Sequence, residues 1–220
     1  EEIVSSRLET TRKLVAAINS AKRKPKVLVS GSASGFYGDC GDALLTEESP
    51  KGTGFLSDLA AQWEAEATKA NTRVVLVRTT MVLSRAKGAL GKLLPLIKLG
   101  IGGPLGSGKQ WWAFISLQDE AAAIIHLINN EKTSGAYNIT APEPATCAQI
   151  VKSLAKGLHR PAILQVPTFA MKLLIGEAAV ELLLCSQNMS AEKLLATGFK
   201  FSHPTLKSAV DYVLSDESPS

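Results

Sequence analysis

The stretch that decides the fold is VLVSGSASGFYGD, Val27 to Asp39. Pro25 and Lys26 lead into it, and a short Val/Leu run carries it to Ser30. A brief apolar run with no polar alternation, closed by a turn, reads as a strand buried on both faces. Such strands belong to parallel sheets covered by helices on each side. Glycines, serines and Asp39 then mark a turn, GSASGFYGD.

Working outward, helices alternate with further strands of the same kind. Ile3, Val4, Leu8, Leu14, Val15 and Ile18 recur at helical spacing over residues 2–20. After the turn comes an acidic loop, LLTEESPKGTG, then a helix over 55–70 with Trp63 on its apolar face. RVVLVRT is a second buried strand, 88–99 a short helix and 100–110 a glycine-rich loop. WWAFIS is a third strand, DEAAAIIHLINN a helix capped by Asp119, and AYNIT a short strand. Helices fill 146–158, 168–185 and 204–214. The alternation predicts an α/β fold with a mostly parallel sheet.

Composition narrows the function classes. The 220 residues are 45% hydrophobic and 20% charged, as in ordinary globular proteins. The net charge of +4 is not gathered into a basic face interleaved with aromatics. Lys22, Arg23, Lys24 and Lys26 form a solvated turn, so no nucleic-acid partner is expected. No apolar run reaches the roughly 20 residues that span a bilayer, so no membrane partner is expected. Cys40, Cys147 and Cys185 have no metal-ligand spacing with the three histidines. Reduced thiols in a cytoplasmic setting, and no metal, are the expectation.

GGPLGSGKQ, Gly102 to Gln110, contains G-x-x-x-x-G-K and raises the question of a phosphate-binding P-loop. That loop needs a strand before it and a helix after it, so that amides and a helix N-terminus cradle phosphate. Here KLGIG precedes and the β-rich QWWAFIS follows. Gln110 stands where Ser or Thr would hold magnesium, and Pro104 removes an amide. The loop instead turns a corner or lines a pocket.

Three stretches in order, VLVSGSASGFYGD, RVVLVRTTMVL and GGPLGSGKQWWAFISLQDEAAAI, resemble the extended branch of the short-chain dehydrogenase/reductase superfamily. SRLETTRKL, Trp63-Glu64, NITAP, RPAILQVP, GEA at 176–178 and TGFKF narrow the match. The chain resembles an atypical group labelled "epimerase family", with an old cell-division-inhibitor label and a family-specific C-terminal domain. The resemblance covers essentially the whole chain. It implies a Rossmann-type doubly wound parallel sheet and a smaller C-terminal α/β domain on the substrate side. Residues 1–131 would be the first, with 86–110 crossing the pocket, and 132–220 the second. The strand, glycine-rich turn and helix that open such a fold are expected upstream of Glu1, making the chain a fragment.

The resemblance implies NADP as cofactor, with NAD possible, and an unknown small-molecule substrate handled by a monomer or homodimer. Glu2 and Arg7 would reach the cofactor, with Ser30 and Gly31 under the nicotinamide ribose. Thr79, Thr80, Met81 and Val82 would wall the nicotinamide. Gly103, Gly106, Gln110 and Trp111 would face the substrate; of Trp111 and Trp112, either could meet it. Ser32 aligns best with the serine that orients a substrate hydroxyl, with Ser30 and Ser34 as near rivals. The superfamily's Tyr-x-x-x-Lys pair is absent, since Tyr37, Tyr137 and Tyr212 are followed at +4 by Gly41, Ala141 and Asp216. The atypical group lacks it too. Tyr37 is the candidate replacement acid/base, with packing in the turn as its alternative. Glu47 and Glu48 are loop carboxylates, and Ser116 stands where the family pattern has a histidine. Two functions follow: oxidoreduction or epimerisation with NADP, or NADPH binding by a sensor without turnover.

Overall fold

The computed structural model describes residues 2–85, 88–162, 165–166 and 183–215. Helix α1 (Glu2–Ser20) is followed by strand β1 (Val27–Ala33) and a single 3-10 turn at Ser34–Tyr37. Strand β2 (Leu44–Leu45), helix α2 (Phe55–Ala67) and strands β3 (Arg73–Thr79) and β4 (Met81–Leu83) come next. Helix α3 (Gly88–Lys98), strand β5 (Phe114–Ser116), helix α4 (Leu117–Asn129) and strand β6 (Gly135–Ile139) follow. The rest comprises α5 (Cys147–Gly157), β7 (Asn188–Met189), α6 (Glu192–Ala196) and α7 (Leu206–Leu214). The helix predicted over 168–185 lies largely outside the described residues.

The main sheet runs β1-β3-β6 with every pairing parallel. Helices cover both faces, which is why its strands carry continuous apolar runs. On one face Val75, Val77 and Ile139 pack with Ala123 and Leu127 of α4. On the other Leu28 and Leu76 pack with Val15 and Ile18 of α1 and Ala67 of α2. Helix α1 buries Leu8, Thr11, Val15 and Ile18, a stripe at helical spacing. Strand β1 runs three residues beyond the predicted end at Ser30, because Gly31, Ser32 and Ala33 pair with Val77, Arg78 and Thr79. The expected division after residue 131 falls before β6, whose pairing with β3 carries this sheet to Ile139.

A larger core cluster gathers Leu90, Leu94 and Ile97 of α3 with Phe114, Ile150, Leu154, Val210 and Val213. Each such buried side chain contributes roughly 1.5–3 kcal/mol over leaving it in water. Thr146 with Gln149, and Thr205 with Ser208, close capping boxes on α5 and α7. Asp119 does not cap α4; Ser116 does, its hydroxyl accepting from Asp119 N at 3.1 Å. The Asp119 carboxylate instead accepts from the amides of Ser202 and His203, at 2.8 and 2.9 Å. His203, which shows no partner in the sequence, lies 3.0 Å from Ser116 Oγ and stacks on Tyr212. The P-loop reading fails in three dimensions as well. The 100–110 loop is held by Gly106 N to Val166 O and Ala148 N to Gly108 O, not opened around an anion.

Candidate functional site

A chamber of about 500 Å³ opens at the carboxyl ends of β1 and β3. Its volume suits a small molecule, and its place is where open parallel sheets bind ligands. The sheet ends supply Ser32, Ala33, Thr79 and Thr80, and β4 supplies Met81 and Val82. Ala60 and Trp63 of α2 line it as well, as do Trp111, Trp112 and Gln187. Among the described residues, Arg7 of α1 is its one charged lining side chain. Its guanidinium lies 5.4 Å from the Trp63 ring centre, and it pairs with no carboxylate among the described residues. A planar, permanently charged fork so placed suits a phosphate.

Gly31 does not line the chamber; it makes the chamber's wall possible. A Cβ there would lie 2.8 Å from Trp63 Cη2, so any side chain at this position would have to displace the indole or the strand. Trp63 is fixed at its other end by Nε1 donating to Thr11 Oγ1 at 2.9 Å. Ser30 is buried and bonds locally to the Gly31 carbonyl. Exposed Glu2 is not on the chamber wall.

Ser32 donates to Glu64 Oε1 at 2.6 Å. Arg78 grips the same carboxylate through Nε at 2.8 Å and Nη2 at 2.9 Å. Its Nη1 donates to the Tyr37 hydroxyl at 2.8 Å, which in turn donates to Asn138 Oδ1 at 2.7 Å. Asn138 passes its own hydrogens to the carbonyls of Leu45 and Ser190. Burial lifts the Tyr37 pKa above its ordinary value, against the opposing pull of Arg78. Tyr37 is 0% exposed and sits behind the chamber, so of the two open readings the structure places it in packing. Glu47 is also structural, accepting from Asn138 N at 2.8 Å.

The candidate substrate residues divide. Trp111 and Trp112 both line the chamber. Their indoles are anchored to Asp42 and to the Leu183 carbonyl, each at 2.8 Å. Gln110 is buried away from it, donating to the carbonyls of Leu105 and Leu183. Gly103 and Gly106 lie off the wall too, because the loop spends its backbone on packing against α5 and Val166.

Sequence reasoning missed Glu120. It is buried at the start of α4 and accepts from Thr79 Oγ1 at 2.7 Å, while its Oε2 has no hydrogen-bond partner among the described residues. Burial raises its pKa to about 7, with the Thr79 hydrogen bond holding it down somewhat. The only sequence signal was a second acid directly after Asp119. Among the described residues no cluster of His, Cys, Asp and Glu could hold a metal, and no helix is long and apolar enough to cross a membrane.

A parallel sheet with helices on both faces and a ligand chamber at its carboxyl edge defines a Rossmann-type α/β protein. The family model described as "NAD dependent epimerase/dehydratase family" matches residues 1–140, and a "Domain of unknown function (DUF1731)" matches 166–213. The chain belongs to the NAD dependent epimerase/dehydratase family. It is 36% identical to an epimerase family protein of Mycobacterium leprae, over 99% of this chain and 71% of that one. It is 36% identical to the Homo sapiens epimerase family protein SDR39U1, over 98% and 74%. A crystal structure of human SDR39U1 with NADPH superposes with a TM-score of 0.92 at 34% identity, covering 96% of this chain and 73% of that chain. A Bacillus cereus UDP-N-acetylglucosamine 4-epimerase shares the fold, with a TM-score of 0.74 at 14% identity over 96% and 72%.

Proposed function

We propose that the chamber binds NADP(H) and that the protein carries out oxidoreduction or epimerisation of a small molecule. The observation that carries this is the placing of Arg7 and the Thr79–Val82 segment around one chamber at the sheet's carboxyl edge. Arg7 is the group suited to a phosphate of the dinucleotide, and Thr79 to Val82 are suited to its nicotinamide end. The bound nicotinamide would supply or accept a hydride. Trp63 and Trp112 exclude water from the face they cover, and Ser32 orients what lies against the end of β1. The relative crystallised with NADPH supports the choice of dinucleotide.

A second reading is a sensor that binds NADPH without turnover. It is favoured by the chamber lining, which among the described residues holds no tyrosine, lysine, histidine or carboxylate to move a proton. Calorimetric titration of NADPH into the protein tests the shared premise. Binding supports it, and the absence of binding overturns it. NADPH oxidation by any member of a metabolite panel then separates enzyme from sensor.

A further inference from the structure

Several polar groups on the chamber wall have already spent their hydrogens on the protein. Ser32 gives its hydrogen to Glu64 at 2.6 Å, and Thr79 gives its own to Glu120 at 2.7 Å. Thr80 donates to the Ile139 carbonyl at 2.8 Å. Gln187 commits its amide nitrogen to the carbonyls of Ser34 and Gly38, at 2.9 and 3.0 Å. A carbonyl or an ionised carboxylate has no hydrogen to return, so the direction of each bond is fixed by chemistry once Glu120 is ionised, above its pKa of about 7. What these hydroxyls keep for the chamber is lone pairs.

We propose that Glu64 and Glu120 are positioning residues that lock Ser32 and Thr79 as hydrogen-bond acceptors. The sheet-end wall then selects a ligand group that is itself a donor, a primary amide or a hydroxyl. The two carboxylates are buried, at 7% and 8% exposure, so water does not compete for the hydroxyl hydrogens. A carbonyl placed against this wall would set lone pair against lone pair and leave buried acceptors unsatisfied. The ligand half of this inference rests on the dinucleotide reading; the polarity of the wall does not.

The experiment runs at pH 9, where Glu120 is ionised. One arm compares NADPH with its 3-acetylpyridine analogue, which replaces the carboxamide by an acetyl group with no hydrogen to donate. The other titrates myo-inositol into NADPH-loaded protein and follows nicotinamide fluorescence. A wild-type preference for NADPH of roughly tenfold or more, lost in Ser32→Ala, assigns the amide as the donor. Inositol binding that Ser32→Ala abolishes assigns a hydroxyl instead. Glu120→Gln offers Thr79 an amide hydrogen, so the preference should narrow; a purely structural Glu120 would leave the preference alone. Intact NADPH binding with both arms flat overturns the inference. Loss of all NADPH binding sinks the dinucleotide reading instead, and neutron diffraction then decides the wall. Deuterons on Ser32 Oγ and Thr79 Oγ1 are expected along Glu64 and Glu120. A deuteron from either pointing into the chamber overturns the proposal.

Discussion

Arg78 and Glu64 form a buried, two-pronged ion pair between the end of β3 and α2, with side-chain exposures of 5% and 9%. Both carboxylate oxygens and three guanidinium nitrogens are engaged. Removing one partner leaves the other charged and dry. Arg78→Leu should cost about 3–5 kcal/mol, and Arg78→Leu with Glu64→Leu distinctly less than the sum of the two single changes. Urea unfolding of the four proteins measures this; additive costs would show that the pair is not coupled.

Tyr37→Phe removes the hydroxyl between Arg78 and Asn138. It leaves Asn138 Oδ1 without its donor, at a cost of about 1–3 kcal/mol. Because Tyr37 is off the chamber wall, NADPH affinity and any turnover should stay within about twofold of wild type per molecule folded. A large fall in turnover with stability unchanged would restore Tyr37 as an acid/base.

Gly31→Ala forces a methyl group against Trp63, whose ring must move or the strand must bend. The expected cost is about 1–3 kcal/mol, with a shift in tryptophan emission. Arg7 packs over the same ring, so dinucleotide affinity should fall in parallel. Stability within a few tenths of a kcal/mol would mean the indole is not pinned there.

Arg7→Ala should weaken binding of a phosphate-bearing ligand by roughly 10- to 100-fold and flatten its salt dependence. Thermal stability should barely change, because among the described residues the one hydrogen bond Arg7 donates is to the Ile3 carbonyl of its own helix. Isothermal titration at two salt concentrations reads both effects, and equal affinities would remove Arg7 from the site.

Glu120 makes stability depend on pH. Its folded pKa of about 7 stands above the ordinary 4.5, so the native state holds this proton more tightly than the unfolded chain. The contribution is fully present below about 4.5 and is lost as pH rises through about 7. Over that window the loss is on the order of 3 kcal/mol. Glu120→Gln should flatten the slope between pH 5 and 8 in urea midpoints. An unchanged slope would show that another group titrates.

The sequence made the helices and the two buried strands legible because each has its own period or apolar run. The reach of β1 to Ala33 was not, since glycine and serine there have no strand signal and only β3 holds them. The Glu64–Arg78 pair joins residues 14 apart on a helix and a strand, with no motif to link them; a charge inside RVVLVRT was the one hint. Thr79 to Val82 were placed by family resemblance and do line the chamber. The glycine-rich loop misled, because glycines serve tight packing as readily as a ligand, and here Gly106 and Gly108 adopt positive φ to turn the chain.

The two-residue ladder of β2 with β7 has a folding consequence. Beside it Gln187 bonds the Ser34 carbonyl, a contact spanning 153 positions of the chain. Closing so long a loop is slow, whereas β1, α2 and β3 are neighbours in sequence and can assemble early. Trp112, Leu183 and Gln187 complete the chamber only when that distant segment docks. The chamber is therefore expected to be completed late in folding, and a ligand that fits it would act as a clasp on that segment.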